Sequence, residues 1–250
     1  MKAKADIDMR AAGLPRRLTP PGARIGLLGG SFNPAHDGHV HLSRLALAHL
    51  GLHEVWWLVA PQNPLKRTQG MAPLSRRLAG ARARAKGARL RVSDIEHRLG
   101  TRYTIDTVRA LKRLYPQARF VLILGADNLA QLPRWRAWKA LFHEVPIAVF
   151  DRPTYAQPAL GSAAADRFAR WRLGPKLGAT LADRKAPAWI FFRTALNPAS
   201  STALREGKAR QDRKDRLEGM TSRSRARTRA AATSPHKAPS PSRLRPRSAS

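Results

Sequence analysis

Two histidines three residues apart, His36 and His39, sit in the stretch GGSFNPAHDGH, residues 29–39, between the apolar run RIGLL and a segment of helical spacing, VHLSRLALAHL. An imidazole N–H can donate to phosphate oxygens, and its charge is set near neutral pH. Gly29 and Gly30 let the backbone approach a ligand closely, and Gly38 keeps bulk out from between the two rings. Where a strand hands over to a helix, free N–H groups and the positive end of the helix dipole face the same way, which suits an anion. Phosphate chemistry is the reading these residue types favour. A dinucleotide fingerprint is disfavoured because GLLGGSFN does not match G-x-G-x-x-G. A metal site built from His36, His39 and His41 has only Asp37 as a nearby carboxylate, and on a helix His41 faces away from His39. A plain turn with two solvated histidines is the remaining alternative, weakened by their position beside a Gly-rich strand exit.

These residues need a scaffold, and the flanking pattern supplies one. RIGLL, EVWWLVA (54–60), RLRVSD, RFVLILGA (119–126), VPIAVF and AWIFF read as strands, with RFVLILGA the clearest. Val40–Leu50, LSRRLAGARARAKG and TIDTVRALKRLY read as helices between them. Strands alternating with helices predict βαβ units and a parallel sheet. Residues 153–187 show no clear period and read as a surface excursion with one helix around ADRFARWRL. Residues 1–22 are polar and proline-punctuated and read as an unstructured lead-in to a domain spanning 23–207. From 208 to 250 the composition turns to Arg, Ser, Ala and Pro, too poor in large apolar residues to offset the entropy of ordering, so this tail is expected to be disordered.

The chain has 250 residues, 43% of them hydrophobic, with a formal net charge of +31. Residues 206–250 hold 13 basic and 4 acidic side chains, so nine of those surplus charges belong to the tail and the rest to the preceding chain. Such a field favours anionic partners. With no cysteine, disulfides, thiolate zinc sites and a cysteine nucleophile are excluded. The N-terminal stretch MKAKADIDMRAAGLPRR has no apolar core, so a secretory leader is not expected, and Asp6 and Asp8 argue against a transit peptide. No run approaches the length of a membrane span, and a cytoplasmic location is expected.

GGSFNPAHDGH resembles the G-G-S/T-F-x-P-x-H-x-G-H signature of the nucleotidyltransferase superfamily, whose H-x-G-H is shared with class I aminoacyl-tRNA synthetases. In its full form it is similar to the bacterial nicotinate-nucleotide adenylyltransferases. Three further segments carry the same resemblance. YTIDTVRAL (103–111) resembles S/R-Y-T-x-x-T/D-T, and LGADNLAQLPRW (124–135) resembles G-x-D-x-L followed by a tryptophan-containing turn. SSTALR (200–205) resembles I-S-S-T-x-x-R, with Ala199 where isoleucine is usual. The match spans Arg24 to Arg205.

The resemblance implies an α/β fold, a Rossmann-like parallel sheet flanked by helices. It also implies adenylyl transfer from ATP to nicotinate mononucleotide, giving deamido-NAD and pyrophosphate, in NAD biosynthesis. The attacking 5′-phosphate is already an anion, so alignment and charge neutralisation suffice without a strong base. The implied catalytic residues are His36 and His39. Candidates for ATP binding are Gly29, Ser31 and Phe32 at the turn, Gly125 and Asp127 at the exit of the strongest strand, and Ser201, Thr202 and Arg205. Those for the mononucleotide are Asn33, Lys66, Thr104 and Trp135, the last for stacking on the ring. Mg²⁺ bound mainly through the ATP phosphates is the implied cofactor, with no protein metal ligand. Blander roles compete for several of these: a solvated loop lysine for Lys66, a helix N-cap for Asp127, and a surface arginine for Arg205. Trp138 is a second candidate for stacking, with packing in the core as its alternative, and Trp56 and Trp57 read as core and sheet-surface residues rather than ligand platforms.

Three other functions compete. The phosphopantetheine adenylyltransferases share H-x-G-H and S-S-T-x-x-R but commonly carry aspartate and threonine where Asn33 and His36 stand here. Nicotinamide mononucleotide differs from nicotinate mononucleotide only by an amide, and the basic chain mildly favours the carboxylate. A nucleic-acid binder is suggested by the charge, yet no aromatic-basic interleaving supports sequence reading. Any such binding is expected to be non-specific, through the tail. ATP and nicotinate mononucleotide are the expected partners, with no membrane, and the sequence carries no signal for oligomeric state.

Overall fold

Runs such as EVWWLV, RFVLILG and WIFF have almost nothing polar to offer solvent, so each can be stable only as a strand covered on both faces. The computed structural model describes residues 7–18, 20–62, 70–152 and 154–193. All of them belong to the unit Met1–Leu204, and residues 194–250, including the SSTALR motif and the basic tail, lie outside them.

The order along the chain is β1 (Arg24–Gly30), α1 (Asp37–His49), β2 (Glu54–Val59), α2 (Leu74–Arg84), β3 (Leu90–Ser93), α3 (Ile95–Leu99), α4 (Thr104–Leu114) and β4 (Arg119–Gly125). There follow α5 (Ala126–Gln131), α6 (Trp138–Glu144), β5 (Ile147–Phe150), α7 (Ala156–Leu160), α8 (Ala163–Arg167), β6 (Arg172–Leu173) and β7 (Trp189–Phe192). The seven strands form one sheet in the order β3-β2-β1-β4-β5-β7-β6, and every pairing is parallel. The fold is the expected Rossmann-like one.

Because side chains alternate across a strand, neighbouring residues feed two cores. Trp56 and Leu122 pack on one side of the sheet, with Ile105, Val108 and Leu111 of α4, while Trp57 and Ile123 pack on the other, with Ala46 of α1 and Leu78 of α2. Trp56 and Trp57 are both fully buried, one in each core, so neither is a sheet-surface residue. Between β1 and β4 the strand order reverses direction, which opens a crevice at their carboxyl ends. Among the described residues no helix is long and apolar enough to cross a membrane.

Three segments differ from the sequence reading. Helix α1 starts at Asp37 rather than Val40, because His36 caps it. Residues 153–187 are more than a surface excursion: they hold α7, α8 and the edge strand β6, and Ala159, Ala164 and Phe168 are buried in the core.

The third is the N-terminal lead-in, whose residues 7–18 dock on the domain, with Ala12 and Leu14 buried. Gly13 turns there with φ +78°, and a Cβ at that position would run into the Val92 carbonyl oxygen. Ser93 Oγ donates to Ala12 O at 2.6 Å, and Arg98 donates to Ala11 O at 2.9 Å. If this docking contributes to stability, Leu14→Ala should lose about 2–5 kcal/mol in urea unfolding, the range for a buried leucine. A loss within about 0.5 kcal/mol, as at ordinary surface positions, would mean the segment is a passive lead-in.

Candidate active site

Gly29 and Gly30 end β1 at the crevice, and the chain then turns sharply through Phe32, whose φ of +46° lies in the left-handed region. A phenylalanine accepts that strain only if its ring is held. It is fully buried and stacks on Trp57, with centroids 5.1 Å apart, and lies 4.6 Å from the His39 ring. Ser43 ties the stack to α1: its hydroxyl accepts from Trp57 Nε1 at 2.8 Å and donates to the His39 carbonyl at 2.8 Å. The His39 ring therefore rests on a fixed aromatic floor.

The two imidazoles are arranged by the helix they begin. His36 Nδ1 accepts from the Gly38 N–H at 3.1 Å, and His39 Nδ1 accepts from the His36 N–H at 3.2 Å, a reciprocal cap of the first turn. An accepting Nδ1 places the proton of each neutral ring on Nε2. The rings lie 3.8 Å apart and line the same cleft. Burial, reinforced by the Arg152 charge, lowers the pKa of His36 from 6.5 to about 4, so this ring is neutral near pH 7.

The cleft encloses about 390 Å³ and runs from the ends of β1 and β4 to the start of α4. At the β4 exit, a Cβ on Gly125 would come within 2.5 Å of Asp127 Oδ1 and 3.2 Å of the Arg152 side chain. Only glycine allows that approach. Asp127 Oδ2 pairs with Arg152 at 3.2 Å, whereas Oδ1 is buried without a hydrogen-bond partner among the described residues. Such an atom is a ready acceptor for a ligand hydroxyl. At the other end, Tyr103 lies beneath the Arg136 guanidinium at 4.7 Å, beside Thr104, Trp135 and Glu96.

Behind the β1 turn, the buried Arg77 of α2 donates to four carbonyls: Ala72, Ser31, Ala60 and Pro61, at 2.7–2.9 Å. It clasps the segments that leave β1 and β2. Asn33 does similar work, donating to Gly70 O at 3.1 Å and accepting from Ala72 N–H at 3.2 Å.

Of the residues singled out from the sequence, the structure brings Gly29, Ser31, His36, His39, Thr104, Gly125, Asp127 and Trp135 to one cleft. Phe32 lies beneath it as a buried ring, and the Asn33 side chain is engaged with the 70–72 segment. Lys66, Ser201, Thr202 and Arg205 lie outside the described residues. Trp138 packs against the core. Sequence reasoning missed Arg152, Glu96, Tyr103 and Arg136. Arg152 follows the end of β5 by two residues, and the tendency of ligands to sit at the carboxyl ends of parallel strands could have flagged it. Glu96 and Arg136 carry no comparable local signal. Among the described residues no group of three His, Asp or Glu is placed to hold a metal.

A model of the cytidylyltransferase-like family matches residues 27–207. A Caulobacter sp. (strain K31) protein named "Probable nicotinate-nucleotide adenylyltransferase" is 53% identical over 182 residues, covering 73% of this chain and 96% of its own length. A protein of the same name from Parvibaculum lavamentivorans is 51% identical over 191 residues, with coverages of 76% and 95%. Among solved structures, Plasmodium falciparum nicotinic acid mononucleotide adenylyltransferase complexed with NaAD aligns with a TM-score of 0.54 at 17% identity. That alignment covers 74% of this chain and 83% of the other, and it is a likeness of fold.

The neutrality of His36 has a consequence for stability. Between pH 4 and 6.5 the unfolded chain binds a proton at this histidine that the folded chain refuses, so stability rises with pH across that window. Wild type should lose stability as pH falls from 6.5 to 4, by about 3 kcal/mol at most from this residue. The stability of His36→Asn should fall less over the same range, as read from melting temperatures. Parallel pH dependences would place the His36 proton elsewhere.

Proposed function

The chain belongs to the cytidylyltransferase-like family, in its nicotinate-nucleotide adenylyltransferase branch, and from that premise we propose that the cleft transfers the adenylyl group of ATP to nicotinate mononucleotide. The products are deamido-NAD and pyrophosphate, a step of NAD biosynthesis. One observation carries the reading: two imidazoles with fixed tautomers stand at the N-terminus of α1, at the point where the sheet order reverses.

An oxygen of the mononucleotide 5′-phosphate attacks the α-phosphorus of ATP in line, and the bond to the bridging oxygen breaks to release pyrophosphate. The nucleophile needs no base. What it needs is a neighbourhood that spreads the growing negative charge. The Nε2–H groups of His36 and His39 and the amides of the β1 turn are donors suited to that work, and Arg152 adds a positive charge. Asp127 Oδ1 suits a ribose hydroxyl. Trp135 offers a flat face to the pyridine ring, with Thr104 beside it. The reading extends to Lys66 for phosphate, and to Ser201, Thr202 and Arg205 for the ATP phosphates, where a planar guanidinium fork would matter. A divalent cation fits as one carried by the triphosphate and water, with Mg²⁺ the proposed ion, and when bound it neutralises phosphate charge. The reacting unit is residues 23–207 with the docked segment 7–18, and the basic tail has no part in the chemistry.

The test is pyrophosphate release from ATP and Mg²⁺ with nicotinate mononucleotide, with nicotinamide mononucleotide or with phosphopantetheine. Release with the first well above the others is expected, and turnover with phosphopantetheine alone would overturn the reading. His39→Ala should lose about 10²–10³ in kcat, as when a transition-state donor is removed. Near-normal turnover in a folded variant would remove His39 from the chemistry. Removing residues 208–250 should leave kcat unchanged, and its loss would bring the tail into the reaction.

A further inference from the structure

The N-terminal segment 7–18 has a shape of its own. Asp8 Oδ1 accepts from the N–H groups of Arg10 and Ala11 at 3.0 and 3.2 Å, and the Leu14 N–H donates to Met9 O at 2.8 Å, which closes a compact turn. The segment precedes the stretch 27–207 that the family model matches. The domain grips this turn at three points. Ser93 Oγ, fully buried at the end of β3, donates to Ala12 O at 2.6 Å and accepts from the Ile95 N–H of α3 at 3.1 Å. Arg98 of α3 donates to Ala11 O at 2.9 Å, and Tyr115, at the end of α4, donates to Pro15 O at 2.5 Å. Ala12 and Leu14 belong to the same apolar core as Ile95 of α3 and Ile105 and Val108 of α4.

What these contacts fasten is a wall of the cleft. Helix α3 has only five residues, and a helix that short has little stability of its own. Its place is set by its attachments. Ser93 at its start and Arg98 near its end tie it to the segment. Thr107 of α4 lies 3.3 Å from Glu96 Oε1 and 2.9 Å from Thr101 Oγ1, which ties it to α4. Glu96, between these fastenings, lines the cleft, and so do Arg102, Tyr103 and Thr104 where the chain passes from α3 into α4.

We propose that the docked segment is a positioning element of the mononucleotide site. By holding α3 and the start of α4 in place, it sets the width of the end of the cleft where the pyridine ring would lie. This role rests on the function proposed above. The other end of the cleft is held by different means: Arg77 and the Phe32–Trp57 stack fix the β1 turn, and the Asp127–Arg152 pair fixes the β4 exit. Releasing the segment should therefore loosen the site of one substrate and spare that of the other.

Gly13 offers a way to release it without touching the wall. Its φ is +78°, and a Cβ there would run into the Val92 carbonyl oxygen, so Gly13→Ala opposes docking while every residue of α3, α4 and the cleft stays as it is. Leu14→Ala weakens the same docking by removing buried apolar surface, with no clash.

The experiment uses the full-length chain and these two variants, with two readouts. Trypsin cleavage of the Arg10–Ala11 bond, identified by N-terminal sequencing, reports release, because a docked turn must open before a protease can extend it. Steady-state kinetics with ATP, Mg²⁺ and nicotinate mononucleotide report the site. Both variants should be cut faster than wild type. KM for the mononucleotide should rise by at least about fivefold, the low end of ordinary coupling between two sites, while KM for ATP stays close to wild type. Faster cleavage with the two KM values unchanged, or raised alike, overturns the positioning role and leaves the reaction standing. Cleavage at the wild-type rate in both variants means that the turn is not held as described, and unfolding of both makes the segment part of the core; either result also overturns the role. No turnover of nicotinate mononucleotide by wild type overturns the proposed function, and this role with it.

Discussion

The hydrogen bond from the Gly38 N–H to His36 Nδ1 settles three things at once. It satisfies one of the orphan amides of α1, so the helix can begin at Asp37. It also puts the ring proton on Nε2. Finally, it disfavours protonation, because a charged imidazole would turn a donor toward that amide. His39 returns the arrangement by accepting from the His36 N–H, so neither ring can turn over without uncapping the helix. A cap of serine or aspartate would start the helix equally well. Histidine adds a second polar nitrogen directed away from the helix, and that nitrogen is what a phosphate can use.

A cap this exacting works only if the turn before it is immobile, and the surrounding packing enforces that. Phe32 is fixed between Trp57 and His39, while Arg77 fastens the Ser31 carbonyl to the carbonyls of Ala60 and Pro61. The exits of β1 and β2 are thus tied to one guanidinium, which Lys, with its single ammonium, could not span in the same way. Arg77 is buried without a carboxylate partner among the described residues, and four carbonyl dipoles stand in for one. A buried cation is costly unless such acceptors surround it. The cost goes into holding loops rather than into the core.

The strands were legible because their apolar runs have no other stable state, and each one expected from the sequence forms. The N-terminus of α1 was not legible, since histidine is an unusual cap and Gly38 argues against helix in any local reading. Ala159 and Ala164 are buried in a region that looked like an excursion, because alanine carries little hydrophobic signal by itself. The docked Ala12–Leu14 segment escaped notice for the same reason, and its key residue is a glycine with positive φ. In the site, the motif residues were legible through their spacing. Arg152, Glu96 and Arg136 come from three segments far apart in sequence, and only the sheet order and the course of α4 bring them to one cleft. Phe32 shows a different limit: its place in the turn was readable, but the Trp57 floor under its ring depends on the β1–β2 register, Leu28 opposite Trp57.

The charge of the cleft follows from these placements rather than from the overall surplus of basic residues. At the β4 exit Arg152 is held by Asp127, which spends one carboxylate oxygen on the pair and keeps the other buried without a hydrogen-bond partner among the described residues. A nucleotide offers what both lack: phosphate oxygens for the guanidinium and ribose hydroxyls for the carboxylate. On the proposed function, nucleotide binding would complete two half-satisfied groups at once, and the Asp127–Arg152 pair keeps them in register beforehand, so little side-chain entropy would remain to be lost. At the other end Arg102, Arg134 and Arg136 line the cleft and form no ion pair among the described residues. The two ends thus solve different problems with the same residue types. Paired charge gives fixed geometry at the β4 exit, and positive charge without an ion pair among the described residues gives attraction for an anion near the start of α4.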